Sequence, residues 1–221
     1  MLMLFKNFFY INKLIFNKFS ILRVLQILEV RKLSIQGSVL DVGGRRTSNN
    51  VTNYILYQNN VIYLDKFSDD KRDLKVDLEK LNSRPDYQFD NVFLINVLEH
   101  IYNFNNCLNN CYSFLRKGGK FFGSTPFIFR IHSSPNDFFR FTEQSLRRSL
   151  ETAGFINIKI SVLDGGIFIC FYNSLSIITQ RIPLINNILL FFFKFLDKIV
   201  FIFSKKNKEI YPVGYFFSAQ K

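Results

Sequence analysis

Between Gly37 and about Ile160, short runs of β-branched and aromatic residues alternate with longer stretches of helical spacing. The runs at 39–41, 61–65 and 91–95 are each three to five residues long and are bounded by acidic or turn residues, as strands buried on both faces of a parallel sheet are. The same pattern predicts a short strand at 73–76, a helix over 104–115 closed by Gly118 and Gly119, a strand at 120–124, a helix from Thr142 to Ala153 stopped by Gly154, and a strand at 156–162. A last strand is expected within 211–219, after a solvated turn at Lys205, Lys206, Asn207 and Lys208. Strict alternation of strand and helix implies a parallel sheet covered by helices.

Two flanks depart from this rhythm. In residues 1–36, Phe5, Phe8, Phe9, Asn12, Ile15, Phe16, Phe19, Leu22 and Val24 share one helical face, and Lys6, Lys13 and Lys18 lie largely toward the other, which makes a basic amphipathic helix. The interrupting lysines and the lack of a small-residue cleavage site argue against a secretory signal. Residues 167–203 are strongly apolar, but Arg181 and Pro183 divide them, and Lys194, Asp197 and Lys198 interrupt the second part. Neither piece supplies the ~20 uninterrupted apolar residues of a membrane span, so one or two interfacial helices are predicted.

Charge sharpens this division. The 221-residue chain carries a net +12 with 48% hydrophobic residues and 28 Phe, a Phe excess that A/T-rich codon bias would also produce. Residues 1–36 hold Lys6, Lys13, Lys18, Arg23, Arg31 and Lys32 against Glu29, a net +5. Residues 165–208 hold Arg181, Lys194, Lys198, Lys205, Lys206 and Lys208 against Asp197, again a net +5. The excess lies on the apolar flanks and not around the sheet, so no nucleic-acid partner is expected. Cys107, Cys111 and Cys170 read as buried free thiols in a reducing compartment. Cys107 and Cys111 would need two further zinc ligands, which His100 and His132 do not obviously supply, so no metal site is predicted.

The residues at the strand ends carry the chemistry. Ligands of open α/β sheets bind outside the carboxyl ends of the strands. Gly43 and Gly44 follow the first strand and let a ligand approach the backbone closely. Asp65 ends the second strand, 24 residues beyond Asp41, where ribose hydroxyls are bound in such sheets. After the fifth strand come Thr125-Pro126-Phe127 and then His132, Pro135, Asp137, Phe138, Phe139, Arg140 and Thr142.

In this order these residues resemble the class I S-adenosylmethionine-dependent methyltransferases of the type 11 kind, over about residues 37–160 and the closing strand. The segment from Thr125 to Thr142 is similar to a branch associated with bacterial surface-polysaccharide synthesis. The resemblance implies an α/β, Rossmann-like three-layer sandwich with a mostly parallel seven-stranded sheet, helices on both faces and apolar helical flanks. It divides the chain into a basic helical extension (1–36), a cofactor-binding methyltransferase domain (37–166), an apolar and basic helical insertion (167–208) and a closing strand (209–221). It implies S-adenosylmethionine as cofactor, held by Asp41, Gly43, Gly44, Asp65, Asp77, Leu78 and Asn96. Asp77 would accept from the adenine amino group beside Leu78, and Asn96 would face the methionine portion. Arg45-Arg46 replaces the usual continuation of the glycine turn and would crowd the cofactor or turn the backbone early.

On the acceptor side, His132 is the expected base, with His100 as its rival. Asp137 would orient His132 or accept from a sugar hydroxyl, and Arg140 would clamp a carboxylate or phosphate. Equally, Asp137 and Arg140 would make a fixed ion pair, with Thr142 an N-cap. The expected acceptor is a sugar or a lipid-linked glycan at the cytoplasmic face of a membrane. The alternatives are a quinone or small-lipid methyltransferase and a non-catalytic binding module, and the flanks suit a homodimer contact as well as a membrane.

Overall fold

The computed structural model describes residues 2–55, 61–80, 87–204 and 206–221, with 2–8 as helix backbone alone. Phe5, Lys6, Phe8 and Lys205 therefore lie outside the described side chains. The chain divides into two compact units: Met1–Leu28 with Ile128–Arg130 and Val162–Gly214, and Glu29–Phe127 with Ile131–Ser161 and Tyr215–Lys221.

The second unit is built on a six-stranded sheet. Its strands are β1 (Val39–Val42), β2 (Val61–Leu64), β3 (Phe89–Ile95), β4 (Leu115–Pro126), β5 (Ile156–Val162) and β6 (Gly214–Gln220), in the spatial order β2-β1-β3-β4-β6-β5. β1 pairs in parallel with β2 on one side and β3 on the other, and β3 pairs in parallel with β4. β6 closes the sheet against β4 in the opposite sense, since Lys221 bonds with Gly118 and Gly119 while Phe217 lies beside Gly123. The strand order reverses between β1 and β3, and crevices at such reversals are where open α/β sheets bind ligands.

Seven strands are expected from the sequence, whereas six form among the described residues. Residues 73–76 contribute a single parallel bridge, Leu64 to Leu74, because Asp70, Asp73 and Ser68 satisfy the local backbone and one another instead of a ladder. Gly118 and Gly119 do not cap a helix. α3 (Phe104–Phe114) ends directly into β4, which begins at Leu115. α3 starts at Asn103, whose side chain accepts from the Asn106 N–H, and it buries Cys107, Leu108, Cys111 and Phe114 on one face. Thr142 caps α4 (Glu143–Thr152), as expected. Phenylalanine fills this core in stacked pairs, Phe93 with Phe122 and Phe121 with Phe155.

The first unit is helical: α1 (Leu2–Phe16), α2 (Ile21–Val30, which runs on into the second unit), α5 (Ile167–Thr179), α6 (Pro183–Phe203) and the short α7 (Asn207–Ile210). The amino-terminal segment is not one helix, because Lys18 adopts a positive φ between α1 and α2. α6 is inverted relative to an ordinary surface helix. Asn186, Asn187 and Asp197 are buried, while Leu184, Ile188, Phe192, Phe195, Ile199 and Ile202 form an exposed stripe at helical spacing. Within the unit, Asn186 Oδ1 accepts from Thr179 Oγ1 and Asn187 Nδ2 donates to the Pro183 carbonyl, while Asn187 Oδ1 has no partner. Gly166 offers α5 no capping side chain, and Asp197 takes over by accepting from the Phe168 and Ile169 N–H groups at 3.0 and 2.7 Å. Asn207 donates to the same carboxylate, so the expected solvated turn at 206–208 is instead the start of α7, with Asn207 buried.

Candidate active site

At the β1/β3 reversal the second unit has a cleft of about 430 Å³. Gly43, Asp65, Asp77 and Leu78 line it, together with Arg45, Phe67, Val97, His100 and the loop residues Ser134 to Asn136. Asp41, Gly44 and Asn96 do not.

Each of these positions has a local cause. Gly43 turns out of β1 with φ +72°, and a Cβ there would lie 2.4 Å from Val97, which follows β3. Gly44 sits over the Asp41 carboxylate, only 2.2 Å from where its own Cβ would be. Asp41 itself points down into the protein and accepts from Thr52 Oγ1 at 2.6 Å and Asn50 Nδ2 at 2.8 Å, so it ties the segment after the glycine turn to the end of β1. Asn96 has φ +53°, donates its N–H to the Ser124 carbonyl and places its side chain beside Ser124.

Burial pushes the Asp41 carboxyl up to about 6, against the smaller opposing pull of Thr52 and Asn50. The folded protein thus holds a proton that the unfolded chain releases above about pH 4. The strain is absent below that pH and grows as pH rises through 6, reaching about 3 kcal/mol by pH 7. Asp41→Asn keeps an acceptor for Thr52 and removes the ionisation. It is expected to be more stable than the parent by about 1–3 kcal/mol at pH 8 and no more stable at pH 4. Urea denaturation at the two pH values checks this, and an equal difference at both would contradict it.

Asp65 is nearly buried at the end of β2, where it accepts from the Phe67 N–H at 2.9 Å and from Arg45 Nε at 2.8 Å. The two arginines after the glycine turn therefore part company. Arg45 enters the cleft and covers Asp65, whereas Arg46 bonds to Asp73 and lies over the Tyr63 ring. Asp77 lies 3.8 Å from Lys66, and its carboxylate accepts from the Glu79 N–H.

The loop after β4 brings the acceptor-side residues together. Both Nη atoms of Arg140 reach the Asp137 carboxylate, Nη2 at 2.7 Å, and Nη1 also reaches the Phe139 carbonyl. Arg140 holds the Asp137 carboxyl well below the usual carboxylate range. Arg140 is thus committed to the ion pair and is not extended as a clamp. Asp137 also accepts from the His132 N–H at 2.9 Å and faces His132 Nδ1 at 3.2 Å. His100 Nδ1 lies 2.6 Å from the Asn136 carbonyl, and the two imidazoles meet edge to face.

Glu99 is the residue that sequence reasoning passed over. It is fully buried, both its carboxylate oxygens lack a hydrogen-bond partner, and Oε1 lies 3.6 Å from His132 Nε2 and 3.8 Å from His100 Nε2. The signal was available: Glu99-His100 follows β3 and His132 follows β4, and neighbouring parallel strands deliver their carboxyl ends to one edge. The cysteines, by contrast, are buried and free, away from this edge in sequence and function.

Residues 37–123 match the family model described as a methyltransferase domain. No curated protein matches the sequence. Among solved structures, a SAM-dependent methyltransferase from Archaeoglobus fulgidus aligns with TM-score 0.56 and 19% identity over 90% of this chain and 94% of its own. The 1,6-didemethyltoxoflavin N1-methyltransferase of Burkholderia thailandensis, with S-adenosylhomocysteine bound, aligns at 0.51 and 16% over 91% and 78%. A phosphoethanolamine N-methyltransferase of Haemonchus contortus, in complex with S-adenosylmethionine, aligns at 0.54 and 16% over 89% and 52%. With a methyltransferase-domain match running from before β1 into β4, the chain has the fold of the S-adenosylmethionine-dependent methyltransferases.

Proposed function

We propose that this chain is an S-adenosylmethionine-dependent methyltransferase acting on a polar acceptor, a sugar or lipid-linked glycan, at an anionic membrane surface. The observation that carries the reading is the cleft at the β1/β3 reversal, whose lining includes the Gly43 turn, Asp65, Asp77-Leu78 and His100. Structural neighbours that hold S-adenosylmethionine or S-adenosylhomocysteine support the cofactor.

The cofactor supplies a methyl group already activated on a sulfonium, so the protein's task is positioning and handling one proton. The Gly43 turn admits the amino-acid portion, Asp65 accepts from the ribose hydroxyls, and Asp77 and Leu78 frame the base. In the loop after β4 Arg140 fixes Asp137, Asp137 accepts from the His132 N–H, and the His132 imidazole takes the acceptor's proton. A charged, histidine-rich wall suits a hydroxyl-bearing acceptor better than a greasy one. Calorimetric titration of the full chain with S-adenosylmethionine and S-adenosylhomocysteine tests the reading: micromolar binding supports it, and no binding leaves a non-catalytic module.

The membrane element rests on the inverted α6 stripe and the lysines and arginine of 165–208. No helix among the described residues is long and apolar enough to cross a bilayer. Exposed apolar stripes beside basic residues fit the interface of an anionic leaflet, with ~1 kcal/mol from each basic residue near the surface. Full-length protein should sediment with phosphatidylserine-containing vesicles and far less with neutral ones. The double variant Ile188→Asp, Phe195→Asp should lose at least about tenfold in partitioning, given ~1.5–3 kcal/mol for each large apolar side chain withdrawn from water. Unchanged sedimentation of that variant would remove the membrane from the proposal.

A further inference from the structure

We infer that Glu99, His100 and His132 form a binding site for one divalent first-row transition metal ion, of the Zn²⁺ or Mn²⁺ type, at the acceptor side of the cleft. Their three candidate ligand atoms lie within 4.8 Å of one another. The geometry around each residue points to a cation. A backbone carbonyl can only accept, so the 2.6 Å contact with Asn136 puts the His100 hydrogen on Nδ1 and leaves the Nε2 lone pair turned toward Glu99. His132 Nε2 also faces Glu99, and its Nδ1 lies 3.2 Å from the Asp137 carboxylate, which accepts from the His132 N–H.

Two imidazole Nε2 atoms and a fully buried carboxylate thus converge, and the Glu99 oxygens have no hydrogen-bond donor. A buried carboxylate without a hydrogen-bond donor is among the more costly groups a fold can hold. The separations of 3.6 and 3.8 Å are too long for hydrogen bonds. They are close to the ~3.3 Å expected between two ligands of one tetrahedral ion with bonds of about 2.0–2.1 Å. The outer contacts point the same way: a histidine ligand is ordinarily held through its other nitrogen by a carboxylate or a backbone carbonyl, as His100 is by the Asn136 carbonyl, and the Asp137 carboxylate stands 3.2 Å from His132 Nδ1. Two histidines and one carboxylate favour zinc, manganese, iron or cobalt over calcium or magnesium, and three protein ligands leave coordination positions open.

His100 lines the cleft, so an acceptor hydroxyl can reach an open position of the ion. Its role there rests on the transferase reading. The coordinated hydroxyl loses its proton to cleft water, and its oxygen forms a bond to the methyl carbon. The carbon–sulfur bond would break in the same step, its electron pair staying on the now neutral sulfur. In the loaded protein His132 serves as a ligand, and the ion takes over its part in activating the acceptor.

The test uses full-length protein treated with chelator and dialysed, then titrated with ZnCl₂ by calorimetry and with CoCl₂ by visible absorption. One equivalent of metal and the ligand-field bands of a low-symmetry cobalt site are expected. Glu99→Gln and His132→Ala should each weaken uptake by roughly 100-fold, and Asp137→Asn by about 10- to 100-fold through the outer contact. Glu99→Gln also removes the buried charge, so the metal-free variant should melt no lower than the parent, which guards against misfolding. Absence of stoichiometric uptake, or uptake that Glu99→Gln and His132→Ala leave unchanged, overturns the site. S-adenosylmethionine titration of the same samples separates the readings: cofactor binding without metal uptake sinks this site alone, and metal uptake without cofactor binding sinks the transferase and leaves the site.

Discussion

Asp65→Ala is expected to weaken S-adenosylmethionine binding by roughly 100- to 1,000-fold, the largest effect of any cofactor-side change. A carboxylate that receives two ribose hydroxyls makes two charge-assisted hydrogen bonds, each contributing about 1.5–3 kcal/mol. Asp65 is prepared for this. It is nearly buried at the end of β2, the Phe67 N–H fixes one oxygen, and the other is held by Arg45. That arginine is the apparent obstacle, since a ribose must share the carboxylate with it or displace it. The Arg45 side chain is 60% exposed, and an ion pair in such a setting contributes ~0–1 kcal/mol. Arg45→Ala should therefore change affinity by no more than about fivefold, and upward. Calorimetry on both variants checks the pair. An unchanged affinity in Asp65→Ala would show that the cofactor, if bound at all, does not use the end of β2. A collapse in Arg45→Ala would make that arginine part of the binding surface and not a displaceable cover.

The sheet that positions these residues was legible because its strands are buried on both faces and so carry dense β-branched and aromatic runs. β1, with all four residues buried, and β3 are plain in the sequence. The predicted strand at 73–76 failed because Ser68 and Asp70, just before it, serve the backbone locally and Ser68 also bonds Asp73, a competition that periodicity does not register. β4 begins at Leu115, earlier than expected, because Arg116-Lys117-Gly118-Gly119 looks like the end of a helix, and only the closing strand's bonds to Gly118 and Gly119 reveal an edge that needed pairing. α6 was the harder case. Asp197 reads as an interruption of an apolar helix, yet it faces inward because α5 starts at a glycine and needs an acceptor from elsewhere.

The site divides in the same way. Gly43 and Asp65 were legible because a strand end fixes where they must lie. Asp41 and Gly44 are expected at the cofactor, yet neither lines the cleft, and the glycine makes room for the carboxylate. Glu99 was illegible as a partner of His132 because 33 residues separate them and no local pattern marks a buried acid. Only the adjacency of β3 and β4 joins them.

His132→Ala is expected to lower turnover by about 100- to 10,000-fold on any acceptor the protein methylates, read as S-adenosylhomocysteine release, while S-adenosylmethionine affinity stays within about threefold. The asymmetry follows from position. His132 is absent from the residues lining the cofactor cleft, and its contacts run to Asp137, Glu99 and His100 on the acceptor side. Asp137→Asn should lose less, about 10- to 100-fold, because it loosens the orientation of His132 and leaves the imidazole in place. Whether His132 acts as base or as metal ligand, removing it abolishes activation of the acceptor, so loss of turnover alone does not choose between the two. Dependence on added metal does. Parent activity that chelation abolishes and Zn²⁺ or Mn²⁺ restores assigns His132 to the ion, whereas chelator-resistant activity that His132→Ala abolishes assigns it to the proton. Turnover that survives His132→Ala would remove both roles and return the loop after β4 to a structural ion pair, Asp137 with Arg140, that holds a hairpin of chain beside the cleft.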